Sequence, residues 1–213
     1  MSHDHLIARE GWSYILTFLI LTAVTYYFSY LILSVVALIL ALFIAFFFRN
    51  PARHPLDDKF AVLAPADGRV LSIETVDEGR HLQAEAIKIS IFLSLFNVHI
   101  NRVPIKGKVD WTLREGYSYL PAYKSEAADT NVRNYLAITS DYGRLLVVQI
   151  TGLVARRLVC WVKAGDELAA GSRFGLIKFG SCTEIYVPKD TSVLVEIGQR
   201  VRGGETIIGR FDN

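Results

Sequence analysis

The sequence is poor in cysteine and in net charge. It has two cysteines, Cys160 and Cys182, and they form no Cys-x-x-Cys pair. Two are too few for the disulfide framework of a small secreted domain, and the spacing argues against a zinc site, so no metal is expected. The possibility of a single disulfide between the two cysteines stays open. The formal net charge is only +2, and the basic residues form no stripe with interleaved aromatics, so no nucleic-acid partner is expected.

Charge is missing altogether from a long N-terminal segment. Between Gly11 and Phe48 there is no Asp, Glu, Lys, Arg or His. As one helix this segment would be roughly 57 Å long, nearly twice the ~30 Å hydrocarbon thickness of a bilayer. The pattern therefore predicts two helices of ~17 residues each. The break between them is expected in the polar and aromatic stretch 25–30, which suits the headgroup region.

Basic residues flank this apolar segment, with Arg9 before it and Arg49 after it. By the positive-inside rule both ends face the cytoplasm. Two alternatives stay open: a hairpin that dips into one leaflet, and a helical hairpin buried in a soluble protein. The preferred interpretation places the protein at the cell (inner) membrane, with its main domain on the cytoplasmic face. It comprises a cytoplasmic tail over 1–10, a transmembrane or membrane-embedded α-helical hairpin over 11–48, and a domain over 49–213.

The remainder of the chain has the pattern of a β protein. Short apolar runs alternate with turn residues, and Asp141-Tyr142-Gly143 between two alternating runs indicates a hairpin. No helix longer than two turns is indicated after Arg53. The glycine spacing near the C-terminus is typical of small hybrids of β-sandwich and barrel. We therefore predict a mainly β, sandwich- or barrel-like hybrid domain.

One Gly-Ser pair lies inside the β-rich segment LIKFGSCTEIYVP, residues 176–188. Alone, such a pair more often marks a turn. A serine hydroxyl can also attack the carbonyl carbon before it, and Gly180 gives the backbone the freedom that this attack needs. The resulting ester can open by β-elimination, and loss of ammonia then leaves a pyruvoyl group in place of Ser181. Such a group is an electrophilic carbonyl made from the chain itself.

Attack by a serine needs a base, and the base needs an orienting partner. His99 is the one histidine in an apolar stretch of the domain, and Asp67 precedes a glycine that opens a predicted strand. Taken singly, the sequence around His99 also fits a histidine buried in the core, and the sequence around Asp67 also fits an aspartate in a turn. The three features together carry more weight than any one of them.

Three motifs follow one another in the domain: APADGRV at 64–70, FNVHINRVPIKGKV at 96–109 and IKFGSCTEIYVP at 177–188. Together they closely resemble the signatures of the pyruvoyl-dependent phosphatidylserine decarboxylases, in their short, membrane-anchored prokaryotic form. The similarity runs from about Phe48 to Ile208.

The resemblance implies a carboxy-lyase made as a self-cleaving proenzyme. Cleavage between Gly180 and Ser181 would give chains 1–180 and 181–213, which stay together as a heterodimer, with larger assemblies left open. Ser181 would supply the covalent pyruvoyl cofactor, and neither a metal nor pyridoxal phosphate would be needed. A Schiff base with the serine amine of the membrane phospholipid would then release CO₂ and give phosphatidylethanolamine.

The resemblance also implies roles for single residues. Asp67 matches the motif aspartate and His99 the motif histidine. Arg102 is a departure, because some longer members carry a second histidine there; the division of base roles between His99 and Asp67 thus stays open. Cys182 is a second departure and is expected to be a strand residue without chemistry. Candidates for contact with the lipid phosphate are Arg102, Arg156 and Arg157.

Two other functions stay open at this point. The same reaction on an archaeal ether lipid would need the same head-group chemistry, so the motifs do not separate the two lipids. A non-catalytic, membrane-anchored β-hybrid carrier or adaptor would need an exposed, modified lysine at a hairpin tip. Lys163 lies in such a turn, but its flanks do not match those of carrier domains.

Overall fold

The computed structural model describes residues 5–119, 130–152, 157–178 and 181–211, with Ser181 described by its backbone alone. The chain divides into two compact units, Met1–Ala52 and Arg53–Asn213.

The N-terminal unit is a helical hairpin. Helix α1 spans Arg9–Tyr27 and α2 spans Leu31–Phe47. Between them Ser29 adopts a left-handed backbone with φ of 62°, which ends the first helix and reverses the chain. The Ser34 hydroxyl donates to the Thr22 carbonyl oxygen at 3.2 Å and so links the two helices. The predicted pair of helices, with its break in 25–30, is confirmed.

Within the described part of the chain, neither helix combines the length and the apolar character needed to cross a membrane. Helix α2 carries no charged side chain but has 17 residues, about 26 Å at 1.5 Å per residue against a hydrocarbon thickness of about 30 Å. Helix α1 has 19 residues but includes Arg9, Glu10 and several hydroxyl side chains. The prediction of two membrane-crossing helices therefore receives no support.

The C-terminal unit is mainly β, as predicted. Its strands are β1 Ala61–Leu63, β2 Gly68–Glu78, β3 Ala84–Leu93, β4 Ile100–Arg102, β5 Gly107–Glu115, β6 Arg133–Ser140, β7 Gly143–Ile150, β8 Arg157–Cys160, β9 Glu167–Leu168, β10 Arg173–Lys178, β11 Ser181–Pro188, β12 Ser192–Val193, β13 Arg200–Val201 and β14 Ile207–Arg210. The predicted hairpin at 141–143 joins β6 to β7, with Ser140 opposite Gly143.

These strands form three antiparallel sheets. The largest has eight strands in the order β13-β2-β3-β11-β7-β6-β5-β9, and the two smaller ones have the orders β1-β14-β12 and β4-β10-β8. Strand β11 lies inside the large sheet, hydrogen-bonded to β3 on one side and to β7 on the other.

The main core lies on one face of the large sheet. Alternate residues of β11 show this division, because Ile185 and Val187 join the main core, whereas Cys182 and Tyr186 pack in a smaller cluster on the opposite face. Phe174 of β10 is fully buried in the main core. Burial of these apolar side chains is the principal stabilisation of the unit.

Candidate active site

The ends of three neighbouring strands bring two of the predicted motifs together. Ser181 opens β11 opposite Leu93, the last residue of β3. The preceding residue of β3, Phe92, pairs with Arg69 of β2, and Asp67 comes directly before β2. The backbones at Asp67 and Ser181 therefore flank the same end of β3. Gly180, the other half of the predicted cleavage site, lies outside the described residues.

The glycine after Asp67 has a steric reason. A Cβ atom at Gly68 would collide with the carbonyl oxygen of Phe92 on β3. Only glycine lets β2 begin this close to the end of β3. In the Asp-Gly pair of the first motif, Gly68 is thus required for strand packing, while Asp67 provides the carboxylate.

The third motif residue, His99, is buried at the start of β4, with 2% of its surface exposed. Its carbonyl oxygen accepts a hydrogen bond from the Ile177 N–H at 3.1 Å, so the end of β10 that leads toward Ser181 runs beside it. The Nδ1 atom of its ring lies 3.0 Å from the Asn97 carbonyl oxygen. Because a carbonyl oxygen only accepts, Nδ1 carries the proton, and in the neutral ring Nε2 is the basic nitrogen.

The side chain of Asn101, in the second motif, contacts residues of the other two motifs. Its amide donates to the Thr183 hydroxyl oxygen at 3.0 Å and approaches the Pro65 carbonyl oxygen at 3.5 Å. It stands two residues after His99, while Thr183 stands two after Ser181 and Pro65 two before Asp67. Gln149 of β7 donates to the Asn101 side-chain oxygen at 2.8 Å. Asn101, Thr183 and Gln149 are fully buried, so this network fixes the relative register of the three motifs.

Asp67 is held by an ion pair and a backbone donor. Arg53 donates from Nη2 to Oδ2 at 2.8 Å, and the Gly203 N–H donates to Oδ1 at 2.8 Å. Arg53 also donates to Glu205 at 2.9 Å. Burial raises the pKa of the Asp67 carboxyl above its ordinary value, and the charge of Arg53 offsets part of this rise.

The three predicted phosphate ligands differ in their surroundings. Arg102 is 3% exposed and donates from Nη1 to the Gly171 carbonyl oxygen at 2.9 Å. Burial, together with the charges of Arg173 and Arg53, lowers the pKa of Arg102 to about 10. Arg157 is exposed on β8, and Arg156 lies outside the described residues. Contact of these arginines with phosphate stays a prediction.

Both cysteines are free thiols. Cys182 is buried in β11, as expected for a strand residue, and burial raises the pKa of its thiol. Cys160 is only partly buried. Among the residues that the structure describes, no group of three or more His, Cys, Asp or Glu side chains could hold a metal ion.

Sequence reasoning missed the residues that support the motifs. Asn101 could have been found from its period-two spacing to His99 in a short strand. The ion pair of Arg53 with Asp67 had no signal in the sequence, because the chain between the two residues follows no regular element until β1.

The fold and the site define a mainly β domain in which an internal strand opens with Ser181 opposite the end of β3, and the neighbouring strand β2 follows the paired Asp67. A family model described as phosphatidylserine decarboxylase matches residues 40–209. The chain belongs to this family. The resemblance inferred from the three motifs is confirmed, and membership in a family of carboxy-lyases confirms the enzyme interpretation over the carrier module.

Curated relatives agree along nearly the whole chain. A phosphatidylserine decarboxylase proenzyme of Carboxydothermus hydrogenoformans is 48% identical over 212 residues, which cover 99% of either chain. Proteins of the same name from Symbiobacterium thermophilum and Syntrophus aciditrophicus are 45% and 40% identical. The first of these alignments covers 97% of this chain and 96% of the relative, and the second covers 99% and 100%.

Proposed function

We propose that this protein converts phosphatidylserine to phosphatidylethanolamine after cutting its own chain between Gly180 and Ser181. The observation that carries the proposal is the meeting of the β2, β3 and β11 ends, with the histidine motif joined to β11 through Asn101 and Thr183, in a chain whose family match spans 40–209. The relatives' names specify phosphatidylserine, which favours this lipid over the archaeal ether lipid.

In self-cleavage, the Ser181 hydroxyl oxygen bonds to the Gly180 carbonyl carbon as the peptide C–N bond breaks. His99 takes the hydroxyl proton on Nε2, the nitrogen left basic by the contact of Nδ1 with Asn97. Asp67 precedes β2 at the same end of β3 and supplies negative charge there. β-Elimination then breaks the ester C–O bond, which releases the 1–180 chain as its carboxylate and leaves dehydroalanine at position 181. Water hydrolyses the imine tautomer of this residue to ammonia and the carbonyl.

The surroundings of residue 181 suit a covalently attached pyruvoyl cofactor. After cleavage, residue 181 becomes the first residue of a strand that is hydrogen-bonded on both sides, to β3 and β7. The group supplies an electrophilic carbonyl that bonds the substrate amine and withdraws electrons as CO₂ leaves. His99 then delivers a proton to the substrate carbon that has lost CO₂. Of the two candidates that the structure describes, Arg157 is the exposed one and is proposed to contact the lipid phosphate.

The two fragments are expected to remain together as a heterodimer. Fragment 181–213 supplies β11 between β3 and β7, β13 beside β2, and β14 between β1 and β12. Separating them would expose the apolar side chains that these strands bury, which opposes dissociation.

We also propose that the helical hairpin embeds in the inner membrane with the β unit on the cytoplasmic face. This proposal is supported by the exposure of apolar and aromatic side chains on the hairpin: Tyr27 is 82% and Ile32 is 83% exposed. Aromatic residues at the turn suit the headgroup region, and the basic Arg9 and Arg49 flank the hairpin. A hairpin that dips into one leaflet satisfies this proposal without crossing the bilayer.

Deleting residues 1–52 should separate anchoring from chemistry. The cut preserves Arg53, which pairs with Asp67, and leaves the compact unit 53–213 whole. We expect normal cleavage and normal turnover of a soluble short-chain phosphatidylserine. Turnover of long-chain lipid in vesicles should fall about tenfold or more, because the local concentration provided by the anchor is lost. Equal activity on vesicles with and without the hairpin would exclude an anchoring role.

Carbonyl chemistry tests the proposed reaction. A denaturing gel should show two fragments, and the mass of the smaller one should equal residues 181–213 with pyruvoyl in place of serine. Borohydride added with phosphatidylserine should stop CO₂ release and add the mass of the decarboxylated lipid to this fragment. An intact serine at residue 181 in an active preparation would exclude the pyruvoyl proposal. Activity restored by pyridoxal phosphate would do the same.

The charge of Asp67 can be tested against a neighbour in the same ion-pair cluster. Asp67→Asn retains an oxygen for the Gly203 N–H but removes the charge paired with Arg53. We expect self-cleavage to slow by about 10²-fold, the lower range for a positioned acid or base. Cleavage of the wild-type chain should also slow as pH falls through the raised pKa of Asp67, because its carboxyl is then neutral.

Glu205→Gln is the matched control, because it removes the other carboxylate that pairs with Arg53. It should leave the cleavage rate within about threefold, as expected for a partly exposed ion pair away from the reaction. Equal slowing in both variants, measured as band conversion over time, would mean that the cluster acts only by holding the fold.

A further inference from the structure

An apolar turn protrudes between the end of β3 and His99. In this turn, residues 94–97, Leu95 is 38% and Phe96 70% exposed. The adjacent apolar residues behave oppositely, since Leu93 is fully buried and Val98 is 4% exposed. The chain thus buries its apolar side chains up to the turn and presents two of them to the surroundings at its tip.

Hydrogen bonds within the turn hold this tip in place. The Asn97 side-chain oxygen accepts from the Ser94 N–H at 2.9 Å and from the Ser94 hydroxyl at 2.7 Å. The Asn97 N–H donates to the Ser94 carbonyl oxygen at 3.0 Å. Because these hydrogen bonds already fix the backbone of the turn, little conformational entropy is lost when its side chains bind a surface. The segment 93–98 carries no charged side chain that would oppose entry into lipid.

The turn is joined directly to the proposed active site at both ends. Leu93, just before it, is the backbone partner of Ser181. Asn97, its last residue, accepts from the ring of His99 through its carbonyl oxygen at 3.0 Å. Whatever surface the tip touches is therefore brought close to the reacting residues.

We propose that the 94–97 turn docks the active site on the lipid surface, with Leu95 and Phe96 inserted at the boundary between headgroups and acyl chains. This inference rests on the proposed function, because a two-tailed lipid presents its serine head at the membrane surface. Insertion removes two apolar side chains from water, and uncharged Leu and Phe are residues that interfaces accept. The contact acts at the site itself and so differs from anchoring by the hairpin.

The experiment uses the full-length, cleaved protein with Leu95→Ser and Phe96→Ser combined. CO₂ release is measured from vesicles of phosphatidylcholine with phosphatidylserine, and from dihexanoyl phosphatidylserine as free monomers. We expect kcat/KM to fall about tenfold on vesicles and to stay within about twofold on the monomer. Phe96→Trp should retain vesicle activity. Leu113→Ser, which alters an apolar side chain of similar exposure, 42%, on the distant strand β5, should change neither rate.

A second measurement does not depend on activity. The added fluorescence of Phe96→Trp, relative to the unmodified chain, should be quenched by vesicles whose lipid carries bromine on its acyl chains. Absence of this quenching, equal losses on both substrates, or no loss on either would overturn the proposal. A smaller assembly in light scattering of the serine variant would also overturn it, because the turn would then contact a second copy of the chain. An unmodified chain that is inactive on both lipids would contradict the proposed function. The quenching measurement would still test whether the 94–97 turn enters the lipid surface.

Discussion

Ser181→Ala should accumulate as one uncut chain with no decarboxylase activity. Alanine has no hydroxyl to attack the Gly180 carbonyl carbon, so neither the ester nor the carbonyl group can form. The loss of decarboxylase activity should be complete within the sensitivity of the assay, because the proposed mechanism has no other source of the electrophilic carbonyl. A denaturing gel and CO₂ release from phosphatidylserine vesicles measure the two effects.

The matched control for this variant is Cys182→Ala at the next position of β11. Cys182 is buried and reduced, and no chemistry is assigned to it, so the variant should cleave and turn over lipid. Ser181→Thr should cleave slowly, since the hydroxyl is kept but a methyl group crowds the attack. Cleavage at this bond in the alanine variant would refute attack by the serine hydroxyl.

His99→Ala should lower turnover of cleaved enzyme by about 10²–10⁴-fold, the usual effect of removing a positioned acid or base. Self-cleavage should slow as well if the same imidazole serves both reactions. The two effects can be separated by collecting the fraction that does cleave and measuring kcat per mole of carbonyl group, determined with phenylhydrazine.

His81→Gln provides the comparison with another buried histidine of the same unit. The ring of His81 lies 3.3 Å from the Ile138 carbonyl oxygen and 3.5 Å from Asp110, among residues without a proposed role in the reaction. This variant should cleave and turn over lipid at rates close to those of the unmodified protein. Normal cleavage together with normal CO₂ release in His99→Ala would clear His99 of both roles.

The sequence predicted features that depend on short stretches of chain. The break between the helices follows from the polar and aromatic residues 25–30, and the β6-β7 hairpin follows from Asp141-Tyr142-Gly143. Both are decided by neighbours within a few positions. The three motifs were also predictable as a set, because each contains a distinctive residue type in a fixed local pattern.

The supporting contacts were not predictable in the same way. Asn101 reaches Thr183 across 82 positions, and Arg53 reaches Glu205 across 152. The first pair exists only after β4 and β11 have adopted their registers in different sheets, and the second only after the segment between β13 and β14 has returned to the start of the unit. No local pattern encodes those registers. The helix lengths were also beyond a composition argument, because the apolar run 11–48 shows only that the segment is apolar, whereas the turn at Ser29 sets where each helix ends.

The position of β11 inside the large sheet would make the proposed self-cleavage depend on completed folding. The ribosome synthesises β3 and β7 first, and the strand that must lie between them belongs to the last part of the chain. Ser181, at the start of β11, lies opposite the end of β3 only when the two strands have paired. Under the proposed self-cleavage, nascent or truncated chains that lack this pairing are expected to stay uncut and inert, so that every molecule able to decarboxylate has first formed the native sheet.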